Sequence, residues 1–389
     1  MTTHKRIWWV YLGGFLLSIH YALVVYVNSS LLKLFASDGQ VSVLYALGSA
    51  ASIASLALAP RFLSRVGLIY TMGTFILLEM IAVFGLGSVG IAGLVAALFV
   101  LHQAAEFIIY FCMDVSLESE TKEENTTGRK RGLYLTMQNI AWVISPVLVS
   151  VLIGSQSDTV TRLTFSNVYF LSGVALAAFF LIVLFAFKDT TPSESKSTLL
   201  GIIRSVKDKD SFRVLAVQFF LNFYYAWMVV YLPLLLTEEI GFEWSKIALI
   251  LTVMLLPFLL FELPAGYLAD KKYGEKETMV LGFIILAIST SIIPFIQVRS
   301  FALWAGILFM SRVGASLIEI AVESYFFKHV NSSDSGQISL FRTARPLSFL
   351  IAPLVALPVL SITSFGGSFF FLAIISLGGL FFIPKKDTK

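Results

Sequence analysis

Twelve apolar stretches of about twenty residues each constrain this chain more than any other feature. Crossing the roughly 30 Å hydrocarbon core of a bilayer takes about 20 helical residues. No water is available there to satisfy peptide groups, so only helices and closed barrels span it. The stretches fall at 7–28, 41–60, 68–88, 91–113, 132–154, 167–187, 214–236, 246–268, 278–298, 301–326, 338–360 and 363–384. Each is therefore expected to be a spanning helix. The composition agrees: 57% of the chain is hydrophobic and 13% charged, against about 25% charged in soluble proteins. Met-Thr-Thr-His-Lys-Arg leads directly into the first stretch. A secretory signal would have a shorter apolar core and a small-residue cleavage site, so this stretch is expected to persist as span 1.

Charge gives the orientation. Of the 28 Lys and Arg, only Lys33, Arg162, Lys246 and Arg299 fall in the connections on one side, and Arg312 lies within span 10. The rest occupy the other side, which the positive-inside rule makes cytoplasmic, together with both termini. Basic residues scattered in short connections form no continuous face for nucleic acid. The one cysteine, Cys112, has no intrachain disulfide partner. The long polar stretch Lys188–Arg213 divides the chain into a six-span bundle at 1–187, a central cytoplasmic loop at 188–213 and a second six-span bundle at 214–389.

The halves echo one another at an offset of 207 residues. Gly132, Ala141, Ser145 and Pro146 in span 5 correspond to Ser339, Ser348, Ala352 and Pro353 in span 11, and Gly67 corresponds to Gly274. Small residues let helices approach closely in lipid, and a proline frees a carbonyl that neighbouring helices can satisfy. Matched positions in both halves point to an internal repeat of the kind many transporters carry.

On these residues the sequence resembles the major facilitator superfamily. Gly266-Tyr267-Leu268-Ala269-Asp270-Lys271-Lys272-Tyr273-Gly274-Glu275-Lys276, between spans 8 and 9, is similar to that family's Gly-x-Leu-Ala-Asp-Arg-x-Gly-Arg-Lys loop, with one residue inserted. The corresponding stretch Pro60–Gly67 carries Ser64 in place of the acid. Span 5 resembles, in degenerate form, the glycine-rich proline motif of the family's proton-coupled antiporters. The resemblance implies an all-α integral membrane fold of twelve transmembrane helices in two pseudo-symmetric six-helix bundles. It also implies a central cavity lined by spans 1, 4, 7 and 10. A cytoplasmic gate is implied at Gly266, Asp270, Lys271 and Gly274, to which Glu323, Arg342 and Arg345 are added by position.

Polar groups at bilayer depth are costly and face a cavity or a partner. In span 10, Arg312, Ser316, Glu319 and Glu323 fall within roughly 60° of one another on a helix. Span 4 carries Gln103, Glu106 and Tyr110 on one stripe, beside His102. Span 7 carries Gln218, Asn222 and Tyr225 on one face. Span 1 places His20 and Tyr21 near its middle. The expected solute-binding residues are therefore His20, Tyr21, His102, Gln103, Asn222, Tyr225 and Arg312. The expected proton carriers are Glu106, with Glu79 in span 3 and Glu319. Each has a plain structural alternative, an interhelical hydrogen bond or a fixed charge pair.

No phosphate loop, His-Glu-x-x-His or paired-cysteine motif occurs, and no Asp-rich pair suggests a lipid-modifying enzyme. The expectation is a non-enzymatic secondary transporter without cofactor or metal. It is expected in the cell membrane as a monomer, moving a small organic solute by alternating access, with the buried acids pointing to proton coupling. Efflux leads, with proton-coupled import of a polar metabolite as the alternative, and a membrane enzyme or non-transporting receptor behind both.

Overall fold

The computed structural model describes residues 3–120, 124–153, 161–187, 209–268, 274–329 and 335–385. Among them, twelve helices are long and apolar enough to cross a membrane. The first compact unit, Met1–Lys196, holds α1 (Thr3–Val24, extended by a short helix at Asn28–Lys33), α2 (Asp38–Val66), α3 (Leu68–Ser88), α4 (Ala92–Glu120), α5 (Glu124–Ile153) and α6 (Arg162–Ala186). The second, Ser197–Lys389, holds α7 (Lys209–Leu234), α8 (Trp244–Leu268), α9 (Glu275–Ile292), α10 (Phe301–His329), α11 (Ser335–Leu360) and α12 (Phe365–Leu377).

Inside each unit the helices follow one packing scheme. In the first, α4 lies against α2 and α3, α6 against α3 and α1, and α1 against α5 and α4. In the second, α10 lies against α8 and α9, α12 against α9 and α7, and α7 against α11 and α10. Each pair in the first unit has its counterpart six helices later, which is what a duplicated six-helix plan produces.

The offset of 207 survives in detail. Gly67 separates α2 from α3 at φ 85°, and Gly274 precedes α9 at φ 90°, a region where a Cβ is strained. One turn on, the Thr71 hydroxyl donates to the Gly67 carbonyl at 2.7 Å and the Thr278 hydroxyl to the Gly274 carbonyl at 2.8 Å. The small residues of α5 and α11 behave similarly, one turn out of register. Ser145 shares its hydroxyl between Ala141 O, at 2.8 Å, and Ile19 O on α1, at 3.4 Å. Ser348 does so between Ala344 O, at 2.8 Å, and Phe219 O on α7, at 2.9 Å.

Several helices outrun the apolar stretches. The acidic segment read as a loop between spans 4 and 5 belongs largely to helix ends, since α4 runs through Glu120 and α5 starts at Glu124. Likewise α7 begins at Lys209, inside the expected central loop. Hydropathy marks hydrocarbon thickness, whereas a helix continues into water while its backbone bonds are kept. Asp270 and Lys271 lie outside the described residues.

Two further features shape the second unit. Beyond Pro233, α7 continues as a π-helical turn, Leu235–Glu239. The Glu239 carboxylate there accepts from Phe365 N at 2.6 Å and Gly366 N at 3.0 Å, capping the start of α12. Elsewhere α9 and α10 meet backbone to backbone. A Cβ on Gly314 would lie 2.6 Å from Gly282 O, and one on Gly282 would lie 2.7 Å from Gly314 O. Gly314→Val is therefore expected to force the helices apart and cost about 1–3 kcal/mol. Thermal unfolding in detergent should show a fall of roughly 2–4 °C per kcal/mol, and an unchanged midpoint would contradict the close approach.

Candidate functional site

Among the described residues each unit buries a cluster of ionisable groups, and the two clusters differ in chemistry. In the first unit, α1 supplies His20, α3 Glu79 and α4 His102, all with zero exposure. The Glu79 Oε1 atom touches His102 Nδ1 and lies 3.0 Å from His20 Nε2. The far side of each ring is also held. His20 Nδ1 is 2.6 Å from Ser172 Oγ, whose hydroxyl donates to the His20 carbonyl at 3.1 Å. His102 Nε2 is 3.3 Å from Asn28 Nδ2, and the Tyr169 hydroxyl donates to Asn28 Oδ1 at 2.6 Å. A buried polar string thus links α6, α1, α3 and α4. Glu106, one turn beyond His102 on α4, is 2% exposed and within electrostatic reach of that ring.

Two other expected residues of this unit make contacts with neighbouring helices. Tyr21 is buried edge-on against Tyr110, at 6.1 Å between ring centres, and Trp142, at 5.3 Å. Gln103 packs its side chain on Gly48 of α2, and its carbonyl accepts from the Ser52 hydroxyl at 2.7 Å.

In the second unit, Arg312 of α10 is 2% exposed and sits in an aromatic enclosure. Its guanidinium carbon lies 5.0 Å from the centre of the Tyr225 ring, 5.3 Å from Tyr224 and 6.0 Å from Phe258. These separations suit cation–π attraction, which strengthens where water is excluded. Two turns along α10, Glu319 accepts from the Tyr225 hydroxyl at 2.6 Å. Tyr225 on α7 therefore touches both the base and the acid of the stripe. The charges of Glu323, Arg345 and Arg312 all reach Glu319. Glu323 and Arg345 are half-buried and Arg342 is exposed. Asn222 bonds within its own helix, to Gln218 O at 2.8 Å. Of the expected gate, Gly266 lies in α8 and Gly274 caps α9.

Sequence spacing left Glu79 without a partner and did not unite it with His20 and His102. The three come from separate spans, beyond the reach of any local motif. Tyr169 and Ser172 were missed, although two polar residues at i and i+3 in the apolar span 6 mark one face. The facing atoms of His20, Glu79 and His102 lie within 4.8 Å of one another, a donor set that can hold a cation.

The sequence profile of the Major Facilitator Superfamily matches residues 10–248 and 214–389. No curated protein sequence matches the chain. Among solved structures, the nucleoside transporter NupG aligns at TM-score 0.75 and 12% identity, over 97% of this chain and 98% of that one. A D-xylose-proton symporter aligns at TM-score 0.75 and 13% identity, over 98% and 97%. A bacterial homolog of the human lysosomal transporter Spinster, inward-facing and unoccupied, aligns at TM-score 0.71 and 11% identity, over 98% and 94%. At such identities the likeness is one of fold, and with the profile covering the whole twelve-helix chain it leads to one assignment: this multi-pass membrane protein belongs to the Major Facilitator Superfamily of secondary transporters.

Proposed function

We propose that the chain is a proton-coupled transporter of a small organic solute bearing an acidic group, with Arg312 as the solute anchor and Glu319 as the proton carrier. The observation that carries the reading is Tyr225, in contact with Arg312 through its ring and with Glu319 through its hydroxyl. A solute anion bound at Arg312 competes with the tyrosine for the guanidinium. Displacing the tyrosine removes the hydrogen bond that steadies the Glu319 carboxylate, so loading one group alters the other. Glu319 is also half-buried, whereas Glu79 is fully enclosed, in contact with the His102 ring and close to that of His20. Of the three carboxyls expected as proton carriers, the partial exposure of Glu319 favours it as the one that exchanges protons with water.

In this reading the protein is a monomer in the cell membrane, with both termini cytoplasmic, and works by alternating access. Glu323, Arg342 and Arg345 serve the cytoplasmic gate with the loop Gly266–Gly274. Export in exchange for protons is favoured by the small-residue and proline pattern of α5. The second reading, symport of a polar anionic metabolite, draws on the same enclosed Arg312. Opposite pH gradients across liposomes of known orientation separate the two.

Two expected outcomes follow. In proteoliposomes holding a pH-reporting dye, a panel of aromatic and aliphatic monocarboxylates should identify a solute that moves protons. Glu319→Gln should then abolish accumulation driven by a pH gradient while solute counterflow persists. Accumulation that continues in that variant would remove Glu319 from the mechanism. Arg312→Gln should weaken solute binding roughly 10–100-fold, the worth of a charge-assisted hydrogen bond. Arg312→Lys should recover only part of this, because an ammonium cannot stack between rings as a guanidinium does.

A further inference from the structure

We infer that His20, Glu79 and His102 form a binding site for a single divalent transition-metal ion inside the first unit, distinct from the Arg312–Glu319 pair. Two imidazoles and a carboxylate are a donor set that suits Zn²⁺ and its first-row neighbours. Donors about 2.0–2.2 Å from a tetrahedral zinc stand roughly 3.3–3.5 Å apart. Here the three facing atoms lie within 4.8 Å of one another, with His20 Nε2 and Glu79 Oε1 at 3.0 Å. Small shifts of side chains on α1, α3 and α4 would open them around an ion.

Three further observations point the same way. First, two atoms of the cluster are left over. His20 Nε2, close as it is to Glu79, is not aligned for a hydrogen bond, and Glu79 Oε2 has no hydrogen-bond partner among the described residues. Both are buried, and a buried polar atom without a partner costs about 1–3 kcal/mol. A metal ion would satisfy the ring nitrogen and engage the carboxylate. Second, each ring is oriented from behind, as metal-ligating histidines are. Because the Ser172 hydroxyl donates to the His20 carbonyl, its oxygen accepts from His20 Nδ1–H, leaving the Nε2 lone pair for the ion. His102 would ligate through Nδ1 and carry its proton on Nε2. That arrangement needs the Asn28 amide turned so that Oδ1 accepts, with the Tyr169 hydroxyl then accepting from Nδ2. Amide orientation is an assignment made from the surrounding bonds, and both orientations complete the Tyr169–Asn28–His102 string. Third, the charge balances. Glu79 and Glu106 offer two carboxylates, and a dication between neutral imidazoles would leave this low-dielectric interior without net charge.

The test uses the full chain, purified without a polyhistidine tag and stripped with chelator. Zn²⁺ is the probe for overnight equilibrium dialysis, and Co²⁺ for absorption spectroscopy. The wild type should take up one equivalent of Zn²⁺ and melt at a higher temperature with it. His4 and His329 are the remaining histidines in the sequence, and the double variant His4→Gln/His329→Gln should bind the same single equivalent. Altering an outer-shell partner typically weakens binding about 10–100-fold. Ser172→Ala should therefore cost about tenfold, and His20→Gln or His102→Gln at least about 100-fold. His102→Cys keeps a ligand and should add a thiolate charge-transfer band to the Co²⁺ spectrum, which decides the matter if the glutamine variants do not fold. Absence of stoichiometric Zn²⁺ uptake by the wild type would overturn the proposal and leave the triad as a hydrogen-bonded tie. So would uptake lost in the His4/His329 variant, or a His102→Cys protein whose Co²⁺ spectrum lacks the new band.

Discussion

A polar group placed in hydrocarbon has to find its partner within the protein, and that requirement organises this molecule. Lipid tails are as apolar as leucine, so burial of apolar surface gives the helices little reason to associate. What holds them is close packing at small residues and hydrogen bonds between spans. The backbone contact at Gly282 and Gly314 is an instance of the first. Ser145 reaching Ile19 O, Ser348 reaching Phe219 O and Tyr169 reaching Asn28 are instances of the second.

Duplication supplied one scaffold, and the two copies carry different polar contents. His20 in α1 and Trp227 in α7 stand 207 residues apart, and each bonds a serine of the last helix of its unit, Ser172 and Ser368. The tryptophan ends the matter there, because an indole has one donor and no acceptor. The histidine has a second nitrogen, and that atom faces Glu79. The difference at this repeated position gives the first unit a second ring nitrogen beside a carboxylate, which the second unit lacks at the matching place. The second unit keeps an apolar equivalent and places its charges on α10 instead.

The fold was legible in the sequence because hydrocarbon thickness imposes a length on every span, and because Gly67 and Gly274 occupy equivalent turns that demand positive φ. Helix ends were less legible: beyond the hydrocarbon, Glu124 or Lys209 can begin a helix as readily as sit in a loop. For the candidate site, the stripe of Arg312 and Glu319 could be read from helical periodicity, and Tyr225 from the face of its own span. Their meeting could not, since it depends on how α7 packs on α10. His20, Glu79 and His102 were each conspicuous as ionisable residues in apolar spans. Nothing in their spacing of 59 and 23 residues announces a common point.

The cap that Glu239 places on α12 has a mechanical consequence. Two backbone amides of one helix hang on a single carboxylate at the tip of another, so the far end of α7 and the near end of α12 travel as one lever arm. Just before that arm, Pro233 lacks the amide proton that would brace the preceding turn, which makes it the weakest point of the α7 backbone ladder. Tyr225 lies two turns below this proline, so the missing backbone bond falls between the tether and the residue that touches both charges.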